Sequence, residues 1–374
     1  MNSLKPSVVP GCGTPALDRF LAEVLGPIGR RERRRWAAEY IRGLLSATEK
    51  KTISSIAAHL PSGNAQAMHH VLAHSPWDWN DVMRRVAETV MADLEPEPAW
   101  ALCEVGFTKR GADSVGVARQ PCGPAGHVDN VQVGVSLHHV GVRGNLTLGW
   151  RLFLPREWAL DYQRRHKAEI PDDTLFRTRP ELALDLIDQA LAWRIPRAVV
   201  VAAVSPDECA PLAEGLRSRG LSYVLEVPES IAGGLASHES WSSVRWWGSG
   251  PGEWLESQFS AVRVPPPPEL GTGAGEVWLL AERPGEDTPP THYFLADLPP
   301  DWPVRRLARL AKAGARASAH VRELHVRLGL DHFEGRNWRG WHHHVTLVAV
   351  AQAFRMTEML CSQPDWFSEE TPPD

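Results

Sequence analysis

The chain has 374 residues, a formal net charge of -5 at pH 7 and 43% hydrophobic residues. This length exceeds what one small core needs, so two or three domains are expected. The composition is that of an ordinary globular protein, and it excludes a uniformly basic nucleic-acid-binding chain.

Basic residues are nevertheless concentrated in two segments. Residues 27–51 contain eight basic residues against three acidic ones, and residues 305–327 contain seven against one. Clustered arginine and lysine side chains contact phosphates even where the whole chain is acidic.

The cysteines indicate a reducing compartment. All five are scattered and none has CxxC spacing, which argues against a disulfide framework or a structural zinc site. The N-terminus lacks the apolar core of a signal peptide, and no window reaches the length of about 20 apolar residues that a membrane helix needs. We therefore expect a cytoplasmic protein without a membrane partner. The cysteines are Cys12, Cys103, Cys122, Cys209 and Cys361.

Helical periodicity dominates the first quarter of the chain. From residue 15 to residue 95, apolar residues recur at i, i+3, i+4 and i+7. Ser46 and Thr48 precede Glu49 and suggest a helix start, and a Gly63-Asn64 turn precedes another helix. We expect residues 1–95 to form a helical N-terminal domain.

The following segment, residues 96–228, alternates strands with helices. "WALCEV", "VDNVQVGVSLHHV", "LTLGWRLFLP" and "SYVLEVP" have strand character, and a helix is expected to begin at Pro180. "RAVVVAAV" is a continuous apolar run, typical of a strand covered on both faces. This alternation predicts an α/β fold.

Three further segments complete the chain. Residues 229–300 read as a β-rich insertion with Gly- and Pro-rich loops. Residues 301–360 are expected to be helical, with an apolar stripe from Leu307 to Leu328 spaced by alternating 3 and 4 residues. Residues 361–374 form an acidic, proline-containing tail.

Several segments, in order, resemble bacterial insertion-sequence transposases with an RNase H-like DDE domain. They are "SVGVARQPCGPAGHVDNVQVGVSLHH", "WRLFLPREWALD" and "FRTRPELALDLIDQALAW". "LGLDHFEGRNWRGWHHHVTL" is similar to the GLDHxEGRxWRGxHHH signature of an actinobacterial branch of that family. The resemblance covers most of the chain and implies an RNase H-like α/β core, a β-rich insertion and a helical N-terminal domain, residues 1–95, that binds DNA ends.

The resemblance also implies a particular chemistry. Members of the family place two carboxylates at strand ends and a third on a later helix, and these hold two divalent metal ions. The metals activate the attacking oxygen and stabilise the leaving oxygen during displacement at phosphorus. Carboxylate oxygens suit Mg²⁺, which is a hard cation.

In this chain, the three positions that the resemblance matches to the family's acids hold other residue types. "WALCEVGF" matches a W-x-x-D-D-T-G-F pattern, so the first Asp falls on Cys103. The resemblance places the second Asp at the end of the buried strand within "VVVAAVSP", at Ala203. Counting back from "LGL" places the Glu on Ser318 and a later Lys on His325. The metal ligands are therefore missing, and we expect no cofactor.

Neighbouring groups offer an alternative use of the vacated site. Glu104 follows Cys103, but successive strand side chains point to opposite faces. Asp207 lies four residues beyond Ala203, is expected in a loop, and could reach inward. Cys103 and His325 could form half of a zinc site. The reused pocket would consist of Cys103, Glu104, Asp207 and His325, whereas the simplest interpretation of Cys103 is a small buried residue at a strand end.

The candidate DNA contacts are basic residues near these segments, because the family must hold DNA ends. A solvated charged face is the alternative for the basic runs, and internal packing is favoured for the loop that contains Arg336 and Arg339. Trp246 and Trp247 could stack on a frayed or flipped base. The basic candidates are Arg30, Arg31, Arg34, Arg35, Lys109, Arg110, Arg119, Arg336 and Arg339.

The triplet His342, His343 and His344 does not predict a metal site. Consecutive helical residues point about 100° apart, so three of them cannot face one ion. Helix packing, with one or two contacts to DNA or to the core, is favoured.

Three functions remain open. The first is a transposase-family protein that binds DNA but has lost cleavage and strand transfer, as a domesticated regulator or as an inhibitor of transposition. Such a protein would form a homodimer or a mixed oligomer with active relatives. The second is an enzyme that reuses the vacated pocket, and the third is a decaying transposase remnant.

Overall fold

The structure is a computed structural model that describes residues 15–47, 50–94, 99–123, 127–141, 143–232, 240–247 and 254–362. The first part is helical, as the periodicity predicts. Its helices are α1 (Pro15–Val24), α2 (Arg31–Ser46), α3 (Ile53–His59), α4 (Ala65–Ala73) and α5 (Trp79–Val90).

One predicted helix start is wrong. Ser46 ends α2, and α3 is capped instead by Thr52, whose Oγ1 accepts a hydrogen bond from the Ser55 amide at 3.2 Å. A threonine oxygen in this position satisfies one of the free amides of the first turn. The helix expected after Asn64 is α4, and Asn64 caps it, because its Oδ1 accepts a hydrogen bond from the Ala67 amide at 3.0 Å.

The remainder alternates as the sequence predicts. In chain order it contains β1 (Ala99–Thr108), β2 (Ala118–Cys122), β3 (His127–Val140), β4 (Asn145–Leu152), α6 (Arg156–Ala159), α7 (Tyr162–Lys167), α8 (Arg179–Ala192), β5 (Val199–Ala203), α9 (Pro206–Ser218), β6 (Tyr223–Val227) and α10 (Glu229–Ala232). The later elements are β7 (Ser242–Trp247), β8 (Trp254–Val264), β9 (Val277–Arg283), β10 (His292–Asp297), α11 (Val304–Leu328) and α12 (Trp338–Ser362).

The ten strands in the described part of the chain belong to one mixed sheet. The order is β2-β3-β1-β5-β6-β10-β9-β8-β7, and β4 also pairs with β3. Strands β1, β5 and β6 are mutually parallel, whereas β3 runs antiparallel to β1. The strands of the insertion extend the same sheet, because β10 pairs antiparallel with β6.

Helices cover both faces of this sheet. On one face α8 packs against β3 and β4 and α9 packs against β6, and these helices bury Leu186 and Leu212. On the other face α11 packs Ala311 and Ala317 against Ala101 and its neighbours. Because both faces are covered, β5 is the continuous apolar strand that its sequence indicates.

The last helix, α12, joins the sheet to the N-terminal helices. It contacts β4 on one side and α2, α4 and α5 on the other. Every residue from Trp341 to Val350 is buried, which is the pattern of a helix inside a core.

Candidate functional site

The first two positions of the expected acid triad are neighbours in the sheet. Leu102 of β1 pairs with Ala202 of β5 in a parallel register, so Cys103 and Ala203 follow side by side at adjacent strand ends. Ala101 and Val201, two residues earlier in each strand, pack on α11. Because alternate residues share a face, Cys103 and Ala203 both lie on the α11 side of the sheet.

The third position lies on the helix that covers this face. Ser318 belongs to α11, which contacts both β1 and β5. Its side chain is exposed, whereas Ala317 and Val321 are buried against the sheet. The structure therefore brings Cys103 and Ala203 together and leaves the Ser318 hydroxyl in solvent.

This set of side chains does not fit a pair of magnesium ions. Burial raises the pKa of the Cys103 thiol to about 12, so the sulfur is neutral near pH 7. A neutral thiol, a methyl group and a hydroxyl supply no anionic oxygen, which is the ligand that Mg²⁺ prefers. Within the described ranges, no group of three or more His, Cys, Asp or Glu residues is placed to hold a metal ion.

Glu104 lies on the opposite face of β1 from Cys103. The pairing of β1 with β3 is continuous from Ala99 to Thr108, so no bulge turns its side chain towards α11. Its carboxylate accepts a hydrogen bond from Arg179 Nη1 of α8 at 2.8 Å. Desolvation raises the pKa of Glu104 to about 7, while Arg179 opposes the shift and Glu208 adds to it.

Asp207 and His325 do not complete a reused pocket. Asp207 was expected in a loop, but it is an exposed residue of the first turn of α9 because the helix begins at Pro206. His325 Nδ1 lies 3.4 Å from Asp331 Oδ1, and this contact lowers the pKa of Asp331 to about 2. A cavity of about 40 Å³ is lined by Cys103, Glu104 and Ala203 but by neither of these two residues.

A buried hydrogen-bonded chain lies beside Cys103 and was not recognised in the sequence. Ser136 Oγ donates to the Cys103 carbonyl at 3.3 Å and lies 2.8 Å from His138 Nε2. Thr147 Oγ1 joins His138 Nδ1 at 3.2 Å to His320 Nε2 at 3.4 Å. Desolvation lowers the pKa of His138 and lowers that of His320 to about 4, so neutral rings pack on this face of the sheet.

Glu226 is a second group that the sequence did not single out. It pairs with Ala203 across β5 and β6, so its side chain is on the α11 face of the sheet. Its carboxylate is held by His292 Nδ1 at 2.8 Å, and this contact raises the pKa of His292. The Glu226 carboxylate, although it lies beside Ala203, is therefore already hydrogen-bonded to His292.

The three histidines of the signature each have a different partner. His344 accepts a hydrogen bond from Tyr40 at 2.9 Å and donates to the Leu330 carbonyl at 3.0 Å. The His343 ring stacks on Trp77 with 3.6 Å between ring centroids, and His342 stacks on Trp79 at 4.4 Å. Helix packing is confirmed, and burial of all three rings excludes direct contact with DNA in this conformation.

The arginines at the start of α2 are free of carboxylate partners. Within the described part of the chain, no ion pair involves Arg30, Arg31, Arg34 or Arg35, and all four are exposed. In contrast, Arg42 of the same helix pairs with Asp18 and Glu39.

The other basic candidates divide into two groups. Lys109 Nζ donates to the Phe333 carbonyl at 3.0 Å, Arg336 pairs with Asp113 at 3.3 Å, and Arg339 donates to the His74 carbonyl at 3.2 Å. Arg336 and Arg339 thus have partners within the protein, although the side chain of Arg336 remains exposed. Arg110 and Arg119 are exposed.

The stacking role expected for Trp246 is wrong. Its ring is buried in β7 and covered by Lys312 Nζ at 4.3 Å from the centroid, so a base has no access to it. The side chain of Trp247 lies outside the described residues. In the described ranges, no helix has the length and apolar character required to cross a bilayer.

A sheet of this topology, with a candidate site at the ends of two parallel central strands, defines an α/β protein with an RNase H-like core. Residues 23–233 match the family of DDE superfamily endonucleases, which is more than half of the chain, and the protein belongs to this family.

The chain is also similar to the probable transposase for insertion sequence element IS701 of Microchaete diplosiphon, at 30% identity over 146 residues. That alignment covers 39% of this chain and 36% of the relative, so the chain spans about a third of the relative's length.

Proposed function

We propose that this protein binds DNA as a member of the transposase family but does not cleave or join strands. The observation that carries the proposal is the pair Cys103 and Ala203, side by side on the α11 face where the family resemblance requires two carboxylates. Metal-dependent displacement at phosphorus needs ligands that hold two cations, and these side chains provide none.

Neighbouring carboxylates do not replace the missing ligands. Glu104 is on the other face with Arg179, and Glu226 is held by His292. Reuse of the site by a cysteine enzyme is disfavoured, because a nucleophilic cysteine needs a lowered pKa and that of Cys103 is raised.

DNA binding is supported by the family and by the arginines of α2. Exposed arginines without carboxylate partners neutralise phosphates at little cost, because no existing ion pair has to break. A protein that occupies transposon ends without cutting them would act as a regulator or as an inhibitor of active relatives. The described cysteines are free thiols, which fits the cytoplasmic location expected from the sequence.

The test compares binding with cleavage on duplexes that carry candidate transposon ends. The wild-type protein should bind them in EDTA, with affinity that falls steeply with salt, and should leave them intact with Mg²⁺ or Mn²⁺. The variant R31E/R34E/R35E should lose binding. Strand cleavage or joining by the wild-type protein would contradict the proposal, as would the absence of DNA binding.

A restored variant tests the assignment of the site. C103D/A203D/S318E places acids at the three positions, and its cleavage of the same duplexes beside an inactive wild type would confirm that those residues are the vacated ligands. The matched control C103N/A203N/S318Q has similar shape without charge and should remain inactive.

A further inference from the structure

A groove runs between α2 and α4 on the surface of the N-terminal helices. It encloses about 510 Å³, with Trp36, Ala67 and Val71 among its lining residues. A second cavity of about 490 Å³ shares Gln66 and His69 with the first and extends to Glu334 and Gly335. Because the two cavities share these residues, they are adjacent on the surface and together are named the groove, which reaches the loop of the GLDHFEGRNWRG segment.

The wall of the groove formed by the start of α2 carries two arginines and one glutamate, Glu32. Arg30 and Arg33 line it, and neither forms an ion pair within the described part of the chain. In contrast, two exposed arginines of α5 are paired: Arg84 with Asp81 at 3.1 Å, and Arg85 with Glu88 at 3.4 Å. The two unpaired charges of the groove are therefore available to an anionic ligand.

Imidazole and indole rings, on which bases could stack, also line the groove. His69, His70 and His74 are exposed along α4 and its end, and the His74 ring lies 5.4 Å from that of His69. Trp36 is half-buried below them, with the Arg35 guanidinium 4.9 Å from its ring centroid. These histidines do not form a metal site, since no such cluster occurs in the described ranges.

Two of the basic residues singled out in the sequence border this groove. Arg339 donates to the carbonyl of His74, which lines the first cavity. Lys109 donates to the carbonyl of Phe333, next to Glu334 of the second cavity. The lining itself contains acidic residues as well: Glu32 lies beside Arg30 and Arg33 in the first cavity, and Glu334 of the second cavity pairs with Lys50 at 2.9 Å.

We propose that this groove binds a segment of single-stranded DNA. The inference rests on the proposed DNA-binding function and assigns a strand to a particular surface. Phosphates would contact Arg30 and Arg33, and bases would stack on the imidazole rings and on Trp36. This combination of a basic groove with stacking surfaces is how proteins hold single strands. A duplex is read by an element that protrudes into its major groove, whereas this surface is concave.

The test measures binding affinity from the fluorescence anisotropy of two labelled probes, a twelve-nucleotide oligothymidine and a twenty-base-pair duplex. R30A/R33A should weaken binding of the oligonucleotide about tenfold and reduce its salt slope by about 1.4, because each phosphate contact to a single strand contributes about 0.7. H69A/H70A should weaken binding of the oligonucleotide with no change in salt slope, since it removes stacking surfaces.

The matched control is R84A/R85A, which removes two exposed arginines of the same region that already have carboxylate partners. Its affinity for the oligonucleotide should stay within about twofold of wild type. Equal weakening by R84A/R85A and by R30A/R33A would overturn the proposal, as would a loss by R30A/R33A that is confined to the duplex.

Failure of this inference is distinguishable from failure of the proposed function. If R30A/R33A binds both probes as wild type does, the groove is not the strand site, but DNA binding by the protein stands. If the wild-type protein binds neither probe, the proposed function fails together with the groove.

Discussion

The carboxylate of Glu104 accepts a hydrogen bond from Arg179 at 2.8 Å on one face of β1, while Cys103, the preceding residue, faces α11 on the other. Adjacent residues of a strand are separated by the sheet itself. The carboxylate of Glu104 therefore points away from the α11 face, although its residue borders the same small cavity as Cys103 and Ala203. The sheet geometry, and not the presence of acidic residues nearby, decides whether the metal site can exist.

The first prediction concerns the pH dependence of stability caused by Glu104. Its pKa is about 7 in the folded protein and 4.5 ordinarily, so the folded state binds more protons between these values. Stability should fall as pH rises from about 4.5 to about 7. The variant Glu104→Gln should not show this loss. Between pH 4 and pH 8 its free energy of unfolding, measured with urea, should therefore rise relative to that of the wild type by on the order of 3 kcal/mol.

The control for this experiment is Glu157→Gln, which changes an exposed carboxylate of α6. Its pH profile should follow that of the wild type. If the difference in free energy of unfolding between Glu104→Gln and the wild type is the same at every pH in this range, burial does not raise the pKa of Glu104.

The second prediction concerns acid unfolding. Burial lowers the pKa of His342 to about 3 and those of His343 and His344 to about 4, below the ordinary 6.5. Their contribution to stability is present above pH 6.5 and should be lost as pH falls towards 4, because the unfolded state then binds the protons. The urea midpoint should fall steeply in this window.

A single variant isolates one of these histidines. His343→Phe keeps a ring beside Trp77 but removes the hydrogen bond that a neutral imidazole donates to a backbone carbonyl at Leu72 or Trp77. It should lower stability at pH 7 by about 1–3 kcal/mol and make the acid transition less steep. His59→Phe, at an exposed site, should change neither quantity.

The third prediction concerns thiol reactivity. Burial raises the pKa of Cys103 to about 12, whereas Cys361 is exposed at the end of α12. Iodoacetamide at pH 7.5 should modify Cys361 first and Cys103 only slowly, since the thiolate is the reactive form. Peptide mapping by mass spectrometry follows both sites in one sample. Modification of Cys103 as fast as Cys361 would favour a reused cysteine site.

The fourth prediction concerns the buried ion pair between the insertion and α11. Lys312 Nζ lies 2.8 Å from Glu282 Oε1, and both side chains are almost fully buried. Lys312→Met should destabilise the protein by about 3–5 kcal/mol, because it leaves a buried carboxylate without its partner. The double variant K312M/E282L should recover most of that loss in chemical denaturation, and a double variant no more stable than K312M would disprove this account.

The fifth prediction concerns magnesium as a ligand of the folded state. In C103D/A203D/S318E, neighbouring carboxylates repel one another until a cation binds. Its Tm should rise with Mg²⁺, by an amount that grows with the logarithm of concentration above the Kd. The wild-type Tm should not respond beyond the change seen with NaCl at equal ionic strength, and an equal rise in wild type would mean that ligands exist elsewhere.

The sequence was most informative about individual elements. The 3.6-residue period located the helices of residues 15–95, and the apolar run of β5 indicated a strand covered on both faces. It was wrong about the start of α3 and about Asp207, because several polar residues near each boundary are able to cap a helix. It did not reveal that Trp246 is covered by Lys312, since the two residues are distant in the chain.

By itself the sequence determined the succession of helices and strands and the residue types at the positions matched to the family acids, since both are properties of local order along the chain. Only the tertiary structure decided which of those positions meet, that Glu104 and Cys103 are on opposite sides of the sheet, and that α2 and α4 enclose a basic groove. Such relationships depend on strand register and helix packing, which bring together residues that no local pattern connects.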